Sequence, residues 1–366
     1  MREPGRSTHR DVRSGLLRPL RVLPAMSVAA QSSTGYGIAI LMRRIQSNTR
    51  TAAIFAMKQV FLDCTADLRA VIDAQGLRVP EGMEIRGGSF DSRQISEWCG
   101  GAAVVLVEHT AIPDEVLVSN TSLREIVFMG TGAASYVNLE LAERAGISVS
   151  TVSEYADRAV AEHAIALMFT GARRVADMDR DIRLGRWAPL SGMQLQGKRL
   201  AVIGLGGIGT AVAQLAEAIG MQVSGWNRTT RNVSFYCQDI RQVLQGADVV
   251  TVHVTLNEQT RGFLDRELLS LPKRGFLLVN TARAAILDQL AIRDGLASGQ
   301  IGYASVDVFD EEPLPSGDWL RSQPNVTMTA HAAYMTTEAY CSLWLKTLAH
   351  VDRIEASGAT SRPSPR

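Results

Sequence analysis

The stretch Val202-Ile-Gly-Leu-Gly-Gly-Ile-Gly209 decides the fold of this chain. It carries the spacing Gly-x-Gly-x-x-Gly, and an apolar run, Leu200–Ile203, leads into it. A continuous apolar run is typical of a parallel strand that is buried on both faces. After the glycines, apolar residues recur at helical spacing, so the motif joins a strand to a helix. The spacing alone could be a tight turn of an α/β protein, but this context favours a dinucleotide site.

Each glycine of the motif has a separate physical role at such a junction. Gly204 permits a tight turn, Gly206 lets the backbone approach a pyrophosphate, and Gly209 lets the helix and the strand pack closely. The helix N-terminus, at Gly207 and Ile208, faces the negative charge of the phosphates. These five residues are therefore predicted to bind the cofactor.

The end of the next strand decides which dinucleotide is preferred. An NAD site usually has Asp or Glu there, which accepts hydrogen bonds from the ribose hydroxyls. This chain has Asn227, followed by Arg228, Thr229 and Arg231. Loss of the carboxylate removes repulsion of a 2′-phosphate, and the guanidinium groups supply a partner for it. We therefore predict that NADP(H) is preferred and that NAD(H) can also bind; alternatively, the arginines only solvate a loop.

From Met57 onward, short apolar runs alternate with helical stretches. This pattern predicts an α/β fold with a doubly wound parallel sheet that has helices on both faces. A long amphipathic segment, 158–187, separates the first four strands from the others. The predicted strands are residues 58–63, 103–108, 125–130, 147–152, 199–203, 222–226, 249–254, 276–280, 303–308 and 326–329.

Composition and charge exclude several classes of protein. The chain has 366 residues, of which 46% are hydrophobic, so it is long enough for two domains. Residues 57–366 are mildly acidic, which argues against nucleic-acid binding. No apolar run approaches the roughly 18 residues of a membrane span. The four cysteines form no Cys-x-x-Cys pair, so we predict no metal site and a reducing, cytoplasmic compartment.

Residues 1–56 differ from the rest of the chain, because they hold nine arginines and only two acidic residues. We predict a disordered leader for this segment, although an organelle transit peptide shares its composition. Residues 357–366 are rich in Ser, Pro and Arg and are predicted to form a loose tail.

Three charged residues follow apolar runs farther along the chain, namely Arg283, Glu312 and His331. In an open α/β sheet, ligands bind at the carboxyl ends of the strands, so the three could converge beside a nicotinamide. Each alone could be a salt-bridge or capping residue. Together they form a coherent set for the reduction of a 2-keto acid: Arg283 clamps the carboxylate, His331 donates the proton, and Glu312 keeps the imidazole oriented and protonated.

Five motifs between Met57 and Ala356 agree in order, type and spacing with those of a known family. They are Leu195-Gln-Gly-Lys-Arg-Leu200, Ala247-Asp-Val-Val-Thr-Val-His253, Val279-Asn-Thr-Ala-Arg283, Asp307-Val-Phe-Asp-Glu-Glu-Pro313 and Asn325-Val-Thr-Met-Thr-Ala-His331. With them the chain resembles the D-isomer-specific 2-hydroxyacid dehydrogenases, which include the glyoxylate and hydroxypyruvate reductases. The resemblance implies the same catalytic residues, Arg283, Glu312 and His331.

The resemblance also implies contacts with substrate and cofactor. Backbone N–H groups at Thr131 and Gly132 would hold the substrate carboxylate together with Arg283, and Asp307 would lie near the nicotinamide carboxamide. Further implied cofactor contacts are Thr255, Thr281 and Ala282.

A domain arrangement and an assembly are implied as well. A flavodoxin-like substrate domain, 57–156 plus 337–356, would surround an inserted Rossmann-type NAD(P)-binding domain, 157–336. Members of this family are commonly dimeric, so the resemblance implies a homodimer.

Several positions depart from the family pattern. Ala284 replaces the usual Gly after the catalytic Arg, Ala330 replaces the usual Pro before the catalytic His, and Thr255 stands where Pro is frequent. An arginine that is often found near the end of strand 103–108 is replaced by Glu108-His109. A cation that would suit a phosphorylated substrate or a second carboxylate is thus missing, whereas the three catalytic residues are intact.

The function predicted from these observations is the NAD(P)H-dependent reduction of a small 2-keto acid, such as glyoxylate or hydroxypyruvate, to the D-2-hydroxy acid. Two alternatives stay open at this point. Oxidation of a phosphite-type anion could use the same scaffold, and a dinucleotide-sensing, corepressor-like interaction protein could retain the same three residues.

Overall fold

The computed structural model describes residues 57–88 and 90–356. The leader predicted for residues 1–56 and the tail predicted for residues 357–366 lie outside this part of the chain. Within the described residues, no helix combines the length and the apolar character that crossing a bilayer requires.

The described residues form two parallel sheets. The strands are β1 (Gln59–Phe61), β2 (Met83–Ile85), β3 (Val104–Val107), β4 (Glu125–Phe128), β5 (Ser148–Thr151), β6 (Arg199–Ile203), β7 (Gln222–Trp226), β8 (Val249–Val252), β9 (Phe276–Asn280), β10 (Ile301–Val306) and β11 (Val326–Met328). The first sheet has the order β2-β1-β3-β4-β5, and the second has the order β11-β10-β9-β8-β6-β7.

Helices connect the strands of both sheets. They are α1 (Ala66–Ala74), α2 (Ser92–Cys99), α3 (Asp114–Ser119), α4 (Leu139–Arg144), α5 (Asp157–Arg173), α6 (Val175–Arg183), α7 (Gly207–Ala218), α8 (Ile240–Leu244), α9 (Arg266–Leu269), α10 (Gln289–Ser298) and α11 (Thr337–Ala356). Short 3-10 turns lie at Ala133–Ser135, Ala284–Ile286 and Trp319–Ser322.

The predicted fold class is confirmed. The order of the first sheet is that of a flavodoxin-like sheet, and the second sheet is doubly wound, with its order reversing at β6. Successive residues of β6 point to opposite faces of the sheet and belong to different hydrophobic cores. Val202 packs with α5 and α7, whereas Ile203 packs on the α10 side. In the first sheet, Trp344 of α11 stacks on Phe61 of β1, with ring centroids 6.0 Å apart, so the C-terminal helix returns to the sheet that the N-terminal strand begins. The domain boundaries 57–156 plus 337–356 and 157–336 stay a prediction.

The long amphipathic segment predicted over 158–187 contains two helices, α5 and α6. The chain breaks at Arg174, which adopts the left-handed conformation with φ 55° and ψ 36°. The buried Asp177 carboxylate accepts hydrogen bonds from Arg174 Nε and Arg180 Nη2, at 2.5 and 2.8 Å. These charge-assisted bonds stabilise the left-handed conformation, which is unfavourable for a residue other than glycine.

Two other differences concern strands. β2, Met83–Ile85, was not predicted, because its three residues are only half-buried and form no apolar run. Several predicted strands end one or two residues earlier, because the residues that follow leave the sheet for loops at its carboxyl edge. The predicted strands 58–63, 103–108, 125–130, 249–254 and 303–308 end at Phe61, Val107, Phe128, Val252 and Val306.

Candidate active site

Two glycines of the motif are required by the backbone itself. Gly204 has φ +102°, and a Cβ atom there would lie 2.7 Å from the His253 carbonyl group. A Cβ atom at Gly209 would lie 1.8 Å from the Gly204 carbonyl oxygen, so helix α7 could not approach β6 as it does. The tight turn and the close packing predicted for these two positions are both present.

Gly206 is different, because none of its described neighbours requires a glycine there. Its φ of −74° is ordinary for any residue, and a Cβ atom would meet no atom of a described neighbour within 4 Å. Gly206 is also the N-cap of α7, and no side chain caps that helix end. The open space and the uncapped N–H groups fit a pyrophosphate. Beside it, Gly207 leaves room for the Asp157 carboxylate, and Ile208 is half-buried.

The residues predicted to choose the cofactor lie in the turn after β7. Asn227 accepts a hydrogen bond from Leu205 N–H at 3.1 Å and donates to the carbonyl and hydroxyl oxygens of Thr229, both at 2.9 Å. Its side chain therefore ties this turn to the glycine loop. Arg228 is exposed and donates to the side-chain oxygen of Gln259 at 2.9 Å. Arg231 is exposed, and its guanidinium has no ion-pair partner among the described residues.

Three more predicted cofactor contacts follow β8 and β9. Thr281 is 8% exposed, and its buried hydroxyl has no hydrogen-bond partner among the described residues. Ala282 N–H donates to Asn280 at 3.0 Å. Thr255 is exposed, and its carbonyl oxygen accepts from Thr260 at 2.7 Å. An unpartnered buried hydroxyl, an open Gly206 and an uncapped helix end fit a bound dinucleotide.

The imidazole of His331 and the carboxylate of Glu312 form a close pair. The distance from His331 Nδ1 to Glu312 Oε2 is 2.6 Å, and the other oxygen, Oε1, accepts from Phe309 N–H at 2.8 Å. Burial raises the pKa of Glu312, but the hydrogen bonds from His331 and from Phe309 outweigh it, so the net direction is downward. Both side chains stay 35% exposed, so the pair is accessible to a small molecule.

His331 itself is held in an unusual conformation. Its φ is +51°, which is uncommon for a residue other than glycine. Asp307 stabilises this conformation: its carbonyl oxygen accepts from His331 N–H at 2.8 Å, and its carboxylate accepts from Ala332 N–H at 2.9 Å and from Ala333 N–H at 3.0 Å. The Thr329 hydroxyl adds a fourth bond at 2.5 Å. Asp307 is 0% exposed, so the structure shows this carboxylate engaged with the His331 segment.

Arg283 faces the loop that was predicted to hold a carboxylate. A Cβ atom at Gly132 would lie only 3.8 Å from Arg283 Nη2. The backbone N–H groups of Thr131 and Gly132 donate to no acceptor in the described part of the protein. Arg283 is exposed, and among the described residues its guanidinium donates only from Nη1, to the Ala282 carbonyl oxygen at 2.7 Å. The structure thus brings a guanidinium and two free N–H groups together, a combination that suits a carboxylate.

The sequence reasoning missed three polar residues behind these loops. Asp63, at the end of β1, accepts from the N–H groups of residues 108, 109 and 110 at 2.8, 2.6 and 2.7 Å. His163 of α5 lies 3.0 Å from the Thr329 hydroxyl that bonds to Asp307. Asp63 stands at the carboxyl end of a strand, a signal that could have been used; no local pattern marks His163 or Thr329.

Comparison with known proteins places this arrangement in a family. Residues 165–333 match the profile of the family described as "D-isomer specific 2-hydroxyacid dehydrogenase, NAD binding domain". A protein of Haemophilus influenzae described as a 2-hydroxyacid dehydrogenase is 31% identical over 324 residues, which cover 81% of this chain and 97% of that protein. A hydroxypyruvate reductase of Thermotoga maritima is 31% identical over 267 residues, covering 71% of this chain and 87% of the relative.

A solved structure agrees with these sequence matches. A crystal structure of a Thermus thermophilus protein superposes with a TM-score of 0.70 at 29% identity, covering 81% of this chain and 97% of that one. The resemblance noted in the sequence is therefore confirmed. The chain belongs to the D-isomer-specific 2-hydroxyacid dehydrogenase family and is an oxidoreductase that uses a nicotinamide dinucleotide.

Proposed function

We propose that this protein reduces a small 2-keto acid of the glyoxylate or hydroxypyruvate type to the D-2-hydroxy acid. The observation that carries the proposal is the His331–Glu312 pair, 2.6 Å apart, on the same edge as an arginine that faces free backbone N–H groups. Such a site offers a proton donor and a carboxylate clamp together, which are the two groups that keto-acid reduction requires from the protein.

Each residue has a definite role in this proposal. Arg283 and the N–H groups of Thr131 and Gly132 hold the substrate carboxylate and polarise the adjacent carbonyl. His331 donates its proton to the carbonyl oxygen, and Glu312 stabilises the protonated imidazole and fixes its orientation. A bound nicotinamide dinucleotide supplies the hydride.

We infer a preference for NADP(H) from the turn after β7. Arg228 and Arg231 are exposed, and Asn227 stands where a ribose-binding carboxylate would repel a 2′-phosphate. The Gln259 bond of Arg228 joins neutral and charged groups on the surface, so a phosphate can replace it at little cost.

We also propose a homodimer. Apolar side chains are exposed along α5, α6 and the segment that follows, where a monomer would leave them in water. They are Phe169 (41%), Val175 (50%), Ile182 (54%), Leu184 (60%), Trp187 (89%) and Leu190 (37%). Light scattering should give twice the monomer mass, and Trp187→Glu should lower it. The cytoplasm remains the proposed compartment, because the four cysteines are free thiols.

A turnover assay with a panel of substrates tests the proposed activity. Purified protein is incubated with glyoxylate, hydroxypyruvate, pyruvate and 2-ketoglutarate, each with NADH and with NADPH. Oxidation of the cofactor with at least one small keto acid, and a D product, is expected. No turnover with any keto acid, combined with phosphite oxidation or with no reaction at all, would transfer the assignment to one of the alternatives.

A further inference from the structure

His109 lies next to the candidate substrate loop, and a hydrogen bond to Asp63 fixes its backbone. β3 and β4 pair in parallel with Val107 opposite Phe128, so the residues after them leave the sheet side by side. The loop Gly130–Gly132 is therefore the neighbour of His109. The Asp63 carboxylate accepts the His109 N–H at 2.6 Å and fixes the backbone at this point. A side chain on such a support is positioned well enough to recognise a ligand.

The His109 ring lies between two tyrosines that come from the two sides of the site. Its centroid is 6.4 Å from that of Tyr136 and 6.4 Å from that of Tyr334. Tyr136 comes four residues after Gly132, and Tyr334 comes three residues after His331. The side chain of His109 is exposed, whereas both tyrosine rings are only partly accessible. The three rings thus form an aromatic wall between the carboxylate-binding loop and the proposed proton donor.

The pKa of His109 is influenced by the charges of the proposed catalytic residues. Desolvation by the surrounding protein lowers the pKa of His109, even though part of the ring is accessible. The charge of Asp63 opposes this change, and so does that of Glu312. The positive charges of His331 and Arg283 lower the pKa further. The imidazole is consequently neutral at pH 7 and carries one hydrogen-bond donor and one acceptor.

The geometry points to a pocket for the group at C3 of the substrate. We propose that His109, with Tyr136 and Tyr334, receives this group and that the His109 imidazole hydrogen-bonds a hydroxyl on C3. This inference rests on the proposed function, in which Arg283 holds the carboxylate at C1 and His331 faces the carbonyl at C2. The aromatic wall is then the part of the site left for C3.

The chemistry of the wall selects a class of keto acid. A 3-hydroxy-2-keto acid satisfies the imidazole, whereas a methyl group at C3 leaves its polar nitrogen desolvated without a partner. A phosphate or a second carboxylate at C3 would need a cation of its own, and Arg283 is already assigned to C1. The preferred substrate class is therefore a 3-hydroxy-2-keto acid that carries no charge at C3, for which hydroxypyruvate is the simplest probe.

The test is the ratio of kcat/KM for hydroxypyruvate to that for pyruvate, with glyoxylate as a third substrate. We expect the parent ratio to be about tenfold or more, and His109→Leu to lower it by about 10- to 100-fold. His109→Gln, which keeps a donor and an acceptor, should retain most of the preference. His350→Leu is the matched control, because His350 lies on α11 and accepts from Arg353. Its ratio should equal that of the parent.

The outcomes distinguish failure of the C3 pocket from failure of the proposed function. If the parent reduces keto acids but shows no preference for hydroxypyruvate, or if His109→Leu leaves the ratio unchanged, the C3 pocket is wrong and the proposed function stands. If the Leu and Gln variants lower the ratio equally, hydrogen bonding by His109 is wrong. If the folded parent reduces no keto acid, the proposed function fails and this inference fails with it. Cofactor affinity and the melting temperature of each variant show that the fold is retained.

Discussion

Nδ1 of His331 lies 2.6 Å from Oε2 of Glu312. The second oxygen of this carboxylate is bonded to Phe309 N–H, so the carboxylate cannot rotate away from the imidazole without losing a bond. The lowered pKa of Glu312 means that the carboxylate stays negative through neutral and mildly acidic pH. A negative charge therefore lies beside His331 Nδ1 over the whole range in which keto-acid reduction would be assayed.

Glu312→Gln should move the pH dependence of reduction to lower pH. Without the negative partner, the imidazole loses its proton sooner as the pH rises, so the limb on which activity falls shifts downward. Because the pair is about one-third exposed, solvent screening keeps this shift of the profile small. The measurement is kcat/KM against pH for parent and variant. An unchanged profile would mean that Glu312 only positions the loop.

His331→Ala should lower kcat by about 10²- to 10⁴-fold, the range for loss of a general acid. The dissociation constant of NADPH should change little, because the glycine loop is untouched. His350→Ala serves as the control for removal of an imidazole elsewhere. Full activity of the His331 variant would exclude it as the proton donor.

Gly206→Ala should weaken cofactor binding without changing stability, whereas Gly209→Ala should lower the stability of the fold. The Gly206 variant should fold normally and bind the cofactor at least about tenfold more weakly, since its new methyl group occupies only the space left for phosphate. The Gly209 variant should lose about 2 kcal/mol of unfolding free energy or more, because its methyl group would overlap a backbone oxygen. Urea unfolding and cofactor titration of both variants check this. Normal cofactor affinity in Gly206→Ala would place the phosphates elsewhere.

Removing both arginines of the cofactor turn should abolish the preference for NADPH. Arg228→Ala combined with Arg231→Ala should lower kcat/KM for NADPH by about 10- to 150-fold, which corresponds to one charge-assisted contact of about 1.5–3 kcal/mol. The value for NADH should change by less than about threefold. Asn227 is left in place because its amide ties the turn to the glycine loop. Arg69→Ala, in an exposed pair with Asp73, is the control. A parent that already favours NADH would contradict the interpretation of this turn.

Asp307→Asn should weaken the support of His331. An amide can keep one acceptor but turns an NH₂ group toward donors, so at least one of the three side-chain bonds to Thr329, Ala332 and Ala333 is lost. We expect a loss of about 2 kcal/mol in unfolding free energy and a fall in kcat of about tenfold or more. Thr329→Val, which removes the hydroxyl that bonds to Asp307 and to His163 but keeps both N–H bonds to the carboxylate, should show a smaller effect. A weaker cofactor affinity with unchanged kcat would instead favour the contact with the nicotinamide carboxamide that the family resemblance implies.

The strongest sequence predictions rest on local patterns. The apolar run before Gly204 and the helical spacing after Gly209 identified a strand, a turn and a helix, because periodicity reports burial over a few residues. The alternation of such strands with helices then predicted a doubly wound parallel sheet, and the family resemblance implied a second, flavodoxin-like domain. β2 and the helix break at Arg174 were missed for the same reason. A half-buried strand has little periodicity, and the break depends on the buried Asp177 carboxylate, which no local pattern reveals.

By itself the sequence determined the kinds of chemical groups and the strand ends that carry them. Arg283, Glu312 and His331 could be chosen because charged residues after apolar runs lie at the carboxyl edge of a parallel sheet. Only the tertiary structure decided what each group faces. Three contacts join residues that are far apart in the sequence or come from different sheets. They are the pairing of His331 with Glu312, the bonds from Asp307 that stabilise the left-handed His331 backbone, and the position of His109 between two tyrosines. Hydrogen bonding and ring packing act over a few ångströms, and the folded chain alone sets such distances.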